Sequence, residues 1–164
     1  MADRGLDGVE GREHNAWRVL LEAVRSTMQA AARVGNLDRT AMTALISKSL
    51  GAVETKRSGL QALLMVDPYL TLEVLDQVVA IAAQSHRDAL LARQVVGRLD
   101  RDTVREQLRS IVLNRLGEAD DDEYRRLAEL LRHIGDASTL DELTARALAS
   151  TDPKIREVGD DFKS

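Results

Sequence analysis

Residues 72–84 read LEVLDQVVAIAAQ, and this segment decides the fold class. Its apolar residues cover more than half of a helix circumference, which is expected only of a helix that is buried on several sides. Three polar residues of the segment, Glu73, Asp76 and Gln77, fall on one stripe that we expect to face solvent. Asp67–Pro68 precedes the segment and predicts a turn, because proline lacks an amide donor and restrains its predecessor. The segment therefore predicts a central helix of an all-α protein.

The composition of the whole chain also favours helices. Of its 164 residues, 44% are apolar and only 2% are aromatic. Leucine, alanine and arginine favour helices, whereas sheets select aromatic and β-branched residues. A chain of this length buries one sizeable core. We predict a bundle of eight or nine antiparallel helices and no strand.

The N-terminal part of the chain predicts a tail followed by a long helix. Residues 1–14 carry glycines between charges without apolar periodicity, and we expect a disordered tail there. Asn15 is a suitable helix N-cap, and Gly35 a suitable stop. Between them, apolar residues recur at spacings of three and four, which places them on one helical stripe.

Residues 15–164 are expected to form a single helical domain. Its N-terminal helices would occupy residues 15–84, and helix pairs would follow over residues 85–164. The boundary is set by Ser85, because Asp88 three residues later completes a pattern resembling a capping box.

A short motif recurs after 36 residues in the C-terminal half. Residues 100–106 read DRDTVRE and residues 136–142 read DASTLDE, with aspartate first, threonine fourth and glutamate seventh in both. The third residue of each motif, Asp102 or Ser138, is the predicted N-cap of the helix that follows. A period in the thirties that is built from helix pairs is typical of an α-solenoid.

The C-terminal third resembles a known repeat family. The resemblance rests on LAELLRHIGD at residues 127–136, LDELTARAL at residues 140–148 and DPKIR at residues 152–156. These segments look like HEAT repeats of the type seen in phycobilin-lyase-like proteins, over about residues 120–162. The resemblance implies a right-handed α-solenoid or a compact bundle, HEAT-like in its C-terminal half, with a concave face for partners. It also implies that Asp152 and Arg156 bond between adjacent units.

Five residues form a predicted partner-binding row: Arg125, Glu129, Arg132, Lys154 and Arg156. The first three lie within about 60° of one another on one helix, at 100° per residue, opposite its apolar stripe. The resemblance places such second helices at the concave surface. Because the row is mainly cationic, it predicts another protein with an acidic surface as the partner. The alternative interpretation is a solvated face stabilised by ion pairs.

Charge and residue types exclude several classes of function. A net charge of −4 and a pI of about 5.4 argue against nucleic acid as a partner. The chain has no cysteine, which excludes disulfides, thiolate metal sites and thiol catalysis. Glu129 and His133 are spaced as two metal ligands could be, but this pairing is common on solvated helices, so we predict no metal and no cofactor. No apolar run approaches the roughly 18 residues of a membrane span, and we expect a cytoplasmic protein without membrane attachment.

These observations predict a non-enzymatic scaffold or adaptor that binds another protein through its helical repeats. Few aromatic residues are present to wall a small-molecule pocket. Three alternatives remain: a regulatory subunit with an apolar patch that a partner covers, a HEAT-like DNA-binding protein, and a lyase-like enzyme. If the predicted row does not bind the partner, the N-terminal helices around Trp17 and Met42 are the next candidate surface.

Overall fold

A computed structural model describes residues 7–84 and 87–163, with side chains from His14 onward. Over these residues the chain forms helices and no strand, so the all-α prediction is confirmed. The chain divides into two compact units, Met1–Asp38 and Arg39–Ser164, here called unit 1 and unit 2. The expected single helical domain over residues 15–164 stays a prediction.

Ten helices are present in the described part of the chain. Their bounds are α1 Asp7–Gly35, α2 Arg39–Gly51, α3 Lys56–Leu63, α4 Tyr69–Glu73, α5 Leu75–Ala82, α6 Ala89–Gly97, α7 Arg101–Arg115, α8 Asp121–Ile134, α9 Ala137–Leu148 and α10 Pro153–Phe162. Unit 1 contains α1, and unit 2 contains the other nine helices.

Helix α1 begins eight residues before the predicted start at Asn15. Residues 7–14 of the expected tail are therefore helical, and residues 1–6 lie outside the described residues. Asn15 does not cap the helix, because it lies within it and accepts a 2.9 Å hydrogen bond from Arg18 one turn later. The predicted end at Gly35 is confirmed.

The segment that decides the fold is central to unit 2 but is divided into two helices. Val74 leaves helical geometry, with φ −120° and ψ 15°, and separates α4 from α5. This break accounts for a tenth helix where eight or nine were predicted. Val78, Val79 and Ala82 are fully buried, as predicted for the central helix. Glu73 and Asp76 are exposed on the expected stripe.

The helices of unit 2 pack around one apolar core. The contacts define two rows of helices. In one row α3 contacts α6, α6 contacts α8 and α8 contacts α10; in the other α2 contacts α5 and α5 contacts α7. Helix α9 packs against α8 and α10, and α4 packs against α2 and α5. A single cluster of buried residues extends from Met42 to Phe162.

The two copies of the sequence motif form the same helix cap. The carboxylate of Asp100 accepts hydrogen bonds from the Thr103 amide at 3.0 Å and the Thr103 hydroxyl at 2.8 Å. Asp136 accepts the equivalent bonds from Thr139 at 3.1 and 2.7 Å. The predicted caps Asp102 and Ser138 are thus wrong by two residues, because the motif's first aspartate reaches the free amide of the third helical residue.

Candidate functional site

Arginine–carboxylate ion pairs connect helices of unit 2 that are well separated along the chain. Six such contacts, here called the junction pairs, join residues that lie 31 to 39 positions apart in the chain. Their N–O distances lie between 2.7 and 3.1 Å. The junction pairs are Arg39–Glu73, Arg57–Asp88, Arg115–Asp76, Arg93–Glu129, Arg109–Glu142 and Arg125–Asp161.

The junction pairs are distributed evenly over the helices. If α2/α3, α4–α6, α7/α8 and α9/α10 are taken as four successive groups, each group is joined to the next by two junction pairs. One pair of each two links α2 to α4, α5 to α7 or α7 to α9. The other links α3 to Asp88, which directly precedes α6, or links α6 to α8 or α8 to α10. Arginine side chains also donate to main-chain oxygens of the preceding group: Arg98 to Leu63 at 2.9 Å and Arg146 to Leu113 at 3.3 Å.

Asp88 is the most buried acid of these pairs. Asp88 is only 3% exposed, and its carboxylate accepts a 2.9 Å hydrogen bond from Arg57. The sequence predicted that Asp88 would complete a cap beginning at Ser85. Ser85 lies outside the described residues, and α6 begins at Ala89 rather than at Ser85.

Three residues of the predicted row make contacts inside unit 2. Arg125 donates to Asp161 of α10 at 2.7 Å. Glu129 accepts from Arg93 of α6 at 2.8 Å and from Arg126 at 3.1 Å. The Arg132 guanidinium lies 4.2 Å from the centre of the Phe162 ring, in cation–π contact. These side chains therefore link α8 to α6 and α10.

The other two residues of the predicted row lie in the first turn of α10. Lys154 is exposed, and within the described residues its ammonium group has no hydrogen bond or ion pair. Arg156 donates to the main-chain oxygens of Ser150 at 2.9 Å and Thr151 at 3.0 Å. Asp152 caps its own helix through the Lys154 amide at 2.8 Å. The bond between units that the family resemblance implied for Asp152 and Arg156 is thus replaced by local bonds.

Ionisation of Glu129 reflects opposing effects. Burial, the largest effect, raises the pKa of its carboxyl, but hydrogen bonds and charge from Arg93 and Arg126 outweigh it. The pKa of Glu129 therefore lies below its usual range. With its oxygens bound to arginines, Glu129 is not available as the metal ligand considered beside His133. In the part of the chain that the structure describes, no group of three or more acidic or histidine side chains could hold a metal ion.

A groove of about 400 Å³ lies where α6 and α8 end and α7 and α9 begin. Its floor is apolar and consists of the buried residues Val96, Leu99, Val104 and Leu108. Its rim carries the cationic or titratable residues Arg101, Arg105 and His133, all of them exposed. The groove thus combines an apolar base with positive charge at its opening.

Positive charge at the groove is weakly neutralised. Within the described residues, no hydrogen bond or ion pair involves the side chains of Arg101 or His133, and Arg105 reaches only exposed Asp102 at 3.6 Å. Asp136 also lines the groove, but both of its carboxylate oxygens accept bonds from Thr139 in the helix cap.

A glycine makes room for one of the groove arginines. Gly135 ends α8 in left-handed geometry, with φ 73°. A Cβ atom at this position would lie 3.0 Å from Arg101 Nη2, so a side chain would displace the guanidinium. Sequence reasoning identified Gly135 as a helix stop and missed the groove, because its residues come from four helix ends that only packing brings together.

Comparisons with models of known families, with curated proteins and with solved structures each found no match. The HEAT-like resemblance of the C-terminal third therefore stays a prediction. Among the described helices, none is both long and apolar enough to cross a membrane.

Proposed function

We propose that the protein is a non-enzymatic adaptor whose unit 2 is an α-solenoid that binds an acidic, partly apolar segment of another protein. The solenoid assignment is supported by the junction pairs, whose partners lie 31 to 39 positions apart; in two of the six the separation is 36, which is also the spacing of the sequence motif. In a repeat protein each unit contacts its neighbours along the array, so polar contacts recur at the period of the chain.

The observation that carries the proposal is the groove with its weakly neutralised arginines. A guanidinium binds a carboxylate through two parallel hydrogen bonds, and Arg101 and Arg105 are both at the rim. The buried floor offers apolar contact to a neighbouring leucine or valine of the same segment. A volume of about 400 Å³ lies at the lower end of ordinary ligand sites and accommodates a few side chains.

We propose the groove rather than the predicted row as the main contact with the partner. Arg125 and Arg132 of the row contact α10, so their charges contribute less to an external partner. Lys154 is the member of the row with a solvent-exposed, unbound charge, and it distinguishes the two surfaces in an experiment.

The test uses a fluorescein-labelled hexapeptide of alternating glutamate and leucine, with a lysine–leucine peptide as the charge-reversed control. Fluorescence anisotropy is expected to show binding of the acidic peptide with a dissociation constant of about 10–100 µM, and no binding of the basic one. Nuclear magnetic resonance should show shifts of the Gly97 and Gly135 amides, which lie at the groove.

Matched variants separate the two surfaces. The double variant Arg101→Gln plus Arg105→Gln should lose at least about tenfold in affinity, because it removes two charge-assisted contacts. Lys154→Gln should bind like the wild type, and all variants should melt at the wild-type temperature. Retained binding in the double variant contradicts the groove, and a loss confined to Lys154→Gln assigns binding to the predicted row.

A further inference from the structure

His133 places a titratable side chain in the groove. It lies in the last turn of α8, and its Nε2 is 3.8 Å from the position that a Cβ atom of Gly97 would occupy. The imidazole ring therefore lies at the end of α6. His133 is exposed, and among the described residues no hydrogen bond or ion pair involves its ring. The ring is thus open to solvent and to a ligand in the groove.

The two groove arginines lie close to the end of α8 that carries His133. Arg101 and Arg105 line the groove from the first turns of α7. Gly135 follows His133 by two residues, and a Cβ atom at Gly135 would lie 3.0 Å from Arg101 Nη2. The negative end of the α8 dipole favours positive charge at this position. The groove therefore has two permanent cations and a third that is present only when His133 is protonated.

Asp136 is the acidic residue that lines the groove with His133 in the described part of the chain. Both of its carboxylate oxygens accept bonds from Thr139. On the helices packed against α8, four charged side chains have partners of their own: Asp76 of α5 binds Arg115, Arg93 of α6 binds Glu129, Glu142 of α9 binds Arg146, and Asp161 of α10 binds Arg125. A protonated His133 thus shares the groove with two arginines and with one carboxylate that is already held in a helix cap.

We propose that protonation of His133 strengthens binding of the acidic segment in the groove, so that the affinity rises as the pH falls from about 8 to about 5.5. Without a ligand, an imidazolium shares the groove with two guanidinium groups of the same charge. A bound carboxylate neutralises these groups and attracts the imidazolium. Binding and protonation therefore favour each other, because linkage between two ligands is reciprocal. This inference rests on the proposed function of the groove.

The choice of pH range isolates histidine. Imidazole side chains ordinarily titrate near about pH 6.5, whereas glutamate carboxyls do so near about pH 4.3, so the acidic peptide keeps its charge down to about pH 5.5. The chain has three histidines, His14, His86 and His133. A change in affinity over this range therefore reports on a histidine, and variants identify which one.

The test measures binding of the glutamate–leucine hexapeptide by isothermal titration calorimetry, with an acetylated N-terminus and no dye. At constant ionic strength, we expect a dissociation constant about three- to fivefold lower at about pH 5.5 than at about pH 8, the size of effect that one exposed ion pair provides. Titrations near about pH 6.5 in two buffers of different ionisation enthalpy should show that binding takes up a fraction of a proton. Absence of proton uptake overturns the proposal.

Matched histidine variants assign the effect. His133→Gln should give equal dissociation constants at the two pH values and should take up no proton on binding. His14→Gln is the control, because it removes an imidazole from α1 and changes no residue that lines the groove. It should keep the wild-type pH dependence. A pH dependence that persists in His133→Gln, or one that is lost in His14→Gln, overturns the assignment to His133.

Nuclear magnetic resonance of the wild-type protein tests the same inference without a variant. The titration midpoint of the His133 ring protons should move to higher pH when the peptide is bound, and an unchanged midpoint overturns the proposal. A peptide that binds equally at both pH values overturns the role of His133 and leaves the proposed function intact. A peptide that binds at neither pH contradicts both.

Discussion

Arg93 donates a 2.8 Å hydrogen bond to Glu129, 36 residues further along the chain, and this bond joins α6 to α8. Arg125 has the same relationship to Asp161, again 36 residues further on, and joins α8 to α10. The interval equals that of the aspartate–threonine motif in the sequence. Two of the ion pairs that link the helices of unit 2 therefore span the same number of residues as the separation between the two equivalent caps, at Asp100 and Asp136.

The Arg93–Glu129 pair should stabilise the fold measurably. Its side chains are 15% and 30% exposed, so water screens the pair less than at the surface. In a double-mutant cycle with Arg93→Met and Glu129→Gln, we expect a coupling free energy of about 1 kcal/mol from urea denaturation. The same cycle on Arg39 and Glu73, which are 58% and 46% exposed, should give less than about 0.5 kcal/mol. Equal coupling in both pairs would contradict the role assigned to burial.

Acid should destabilise the protein through the same carboxylates. The pKa of Glu129 lies below its usual range, because its arginine contacts outweigh the effect of burial. Hydrogen bonds from Arg109 likewise lower the pKa of Glu142, and the Thr103 hydroxyl and amide lower that of Asp100. A lowered pKa in the folded state means that the unfolded chain takes up protons first as the pH falls.

The stability that these groups provide is therefore complete above the ordinary carboxyl pKa of about 4 and is lost as the pH falls through their lower folded values. Melting temperatures measured from about pH 6 to about pH 3 should decrease across this window. The variant Glu129→Gln should show a shallower decrease than the wild type. An identical pH profile in that variant would mean that Glu129 does not contribute.

Periodicity and helix signals in the sequence were sufficient for much of the fold. They located the ends of α1 at Gly35 and α8 at Gly135, the Asp152 cap and the buried helix around Val79, because these features depend on neighbours within one helix. The break at Val74 was missed, since nothing in its immediate sequence opposes helix.

The partners of long side chains were the least predictable feature. Arg125, Glu129 and Arg132 do lie opposite the apolar stripe of their helix, as the spacing predicted. A long side chain in that position can still reach the next helix, however, and the neighbour is specified only by tertiary packing. The groove was missed for the same reason, because its lining residues Arg101 and His133 lie on different helices.

Two buried threonines of α9 should respond in opposite directions to the same substitution. Thr144 is 6% exposed, and its hydroxyl oxygen has no hydrogen-bond partner in the described structure. Thr144→Val removes this unpaired group with little change in shape and should raise the free energy of unfolding by about 1 kcal/mol. Thr139→Val removes the 2.7 Å bond to Asp136 and should lower it by about 1–2 kcal/mol. Calorimetric melting of both variants checks this, and destabilisation by Thr144→Val would indicate an undetected bond at that hydroxyl.

Close packing of α10 on α9 should make Gly159 intolerant of any side chain. A Cβ atom at Gly159 would lie 2.8 Å from Leu148 Cγ and 2.9 Å from the Leu148 main-chain nitrogen. Since a main-chain atom cannot rotate away, Gly159→Ala must push the two helices apart, and we expect a loss of about 2–3 kcal/mol in urea denaturation. Gly51→Ala is the matched control, because Gly51 ends α2 with nothing within 4 Å of the added methyl group. There the alanine should stabilise the fold by up to about 1 kcal/mol through its higher helix propensity. If both variants were stabilised, α10 would not lie against the backbone of α9, and the last helix pair would be packed more loosely than the structure shows.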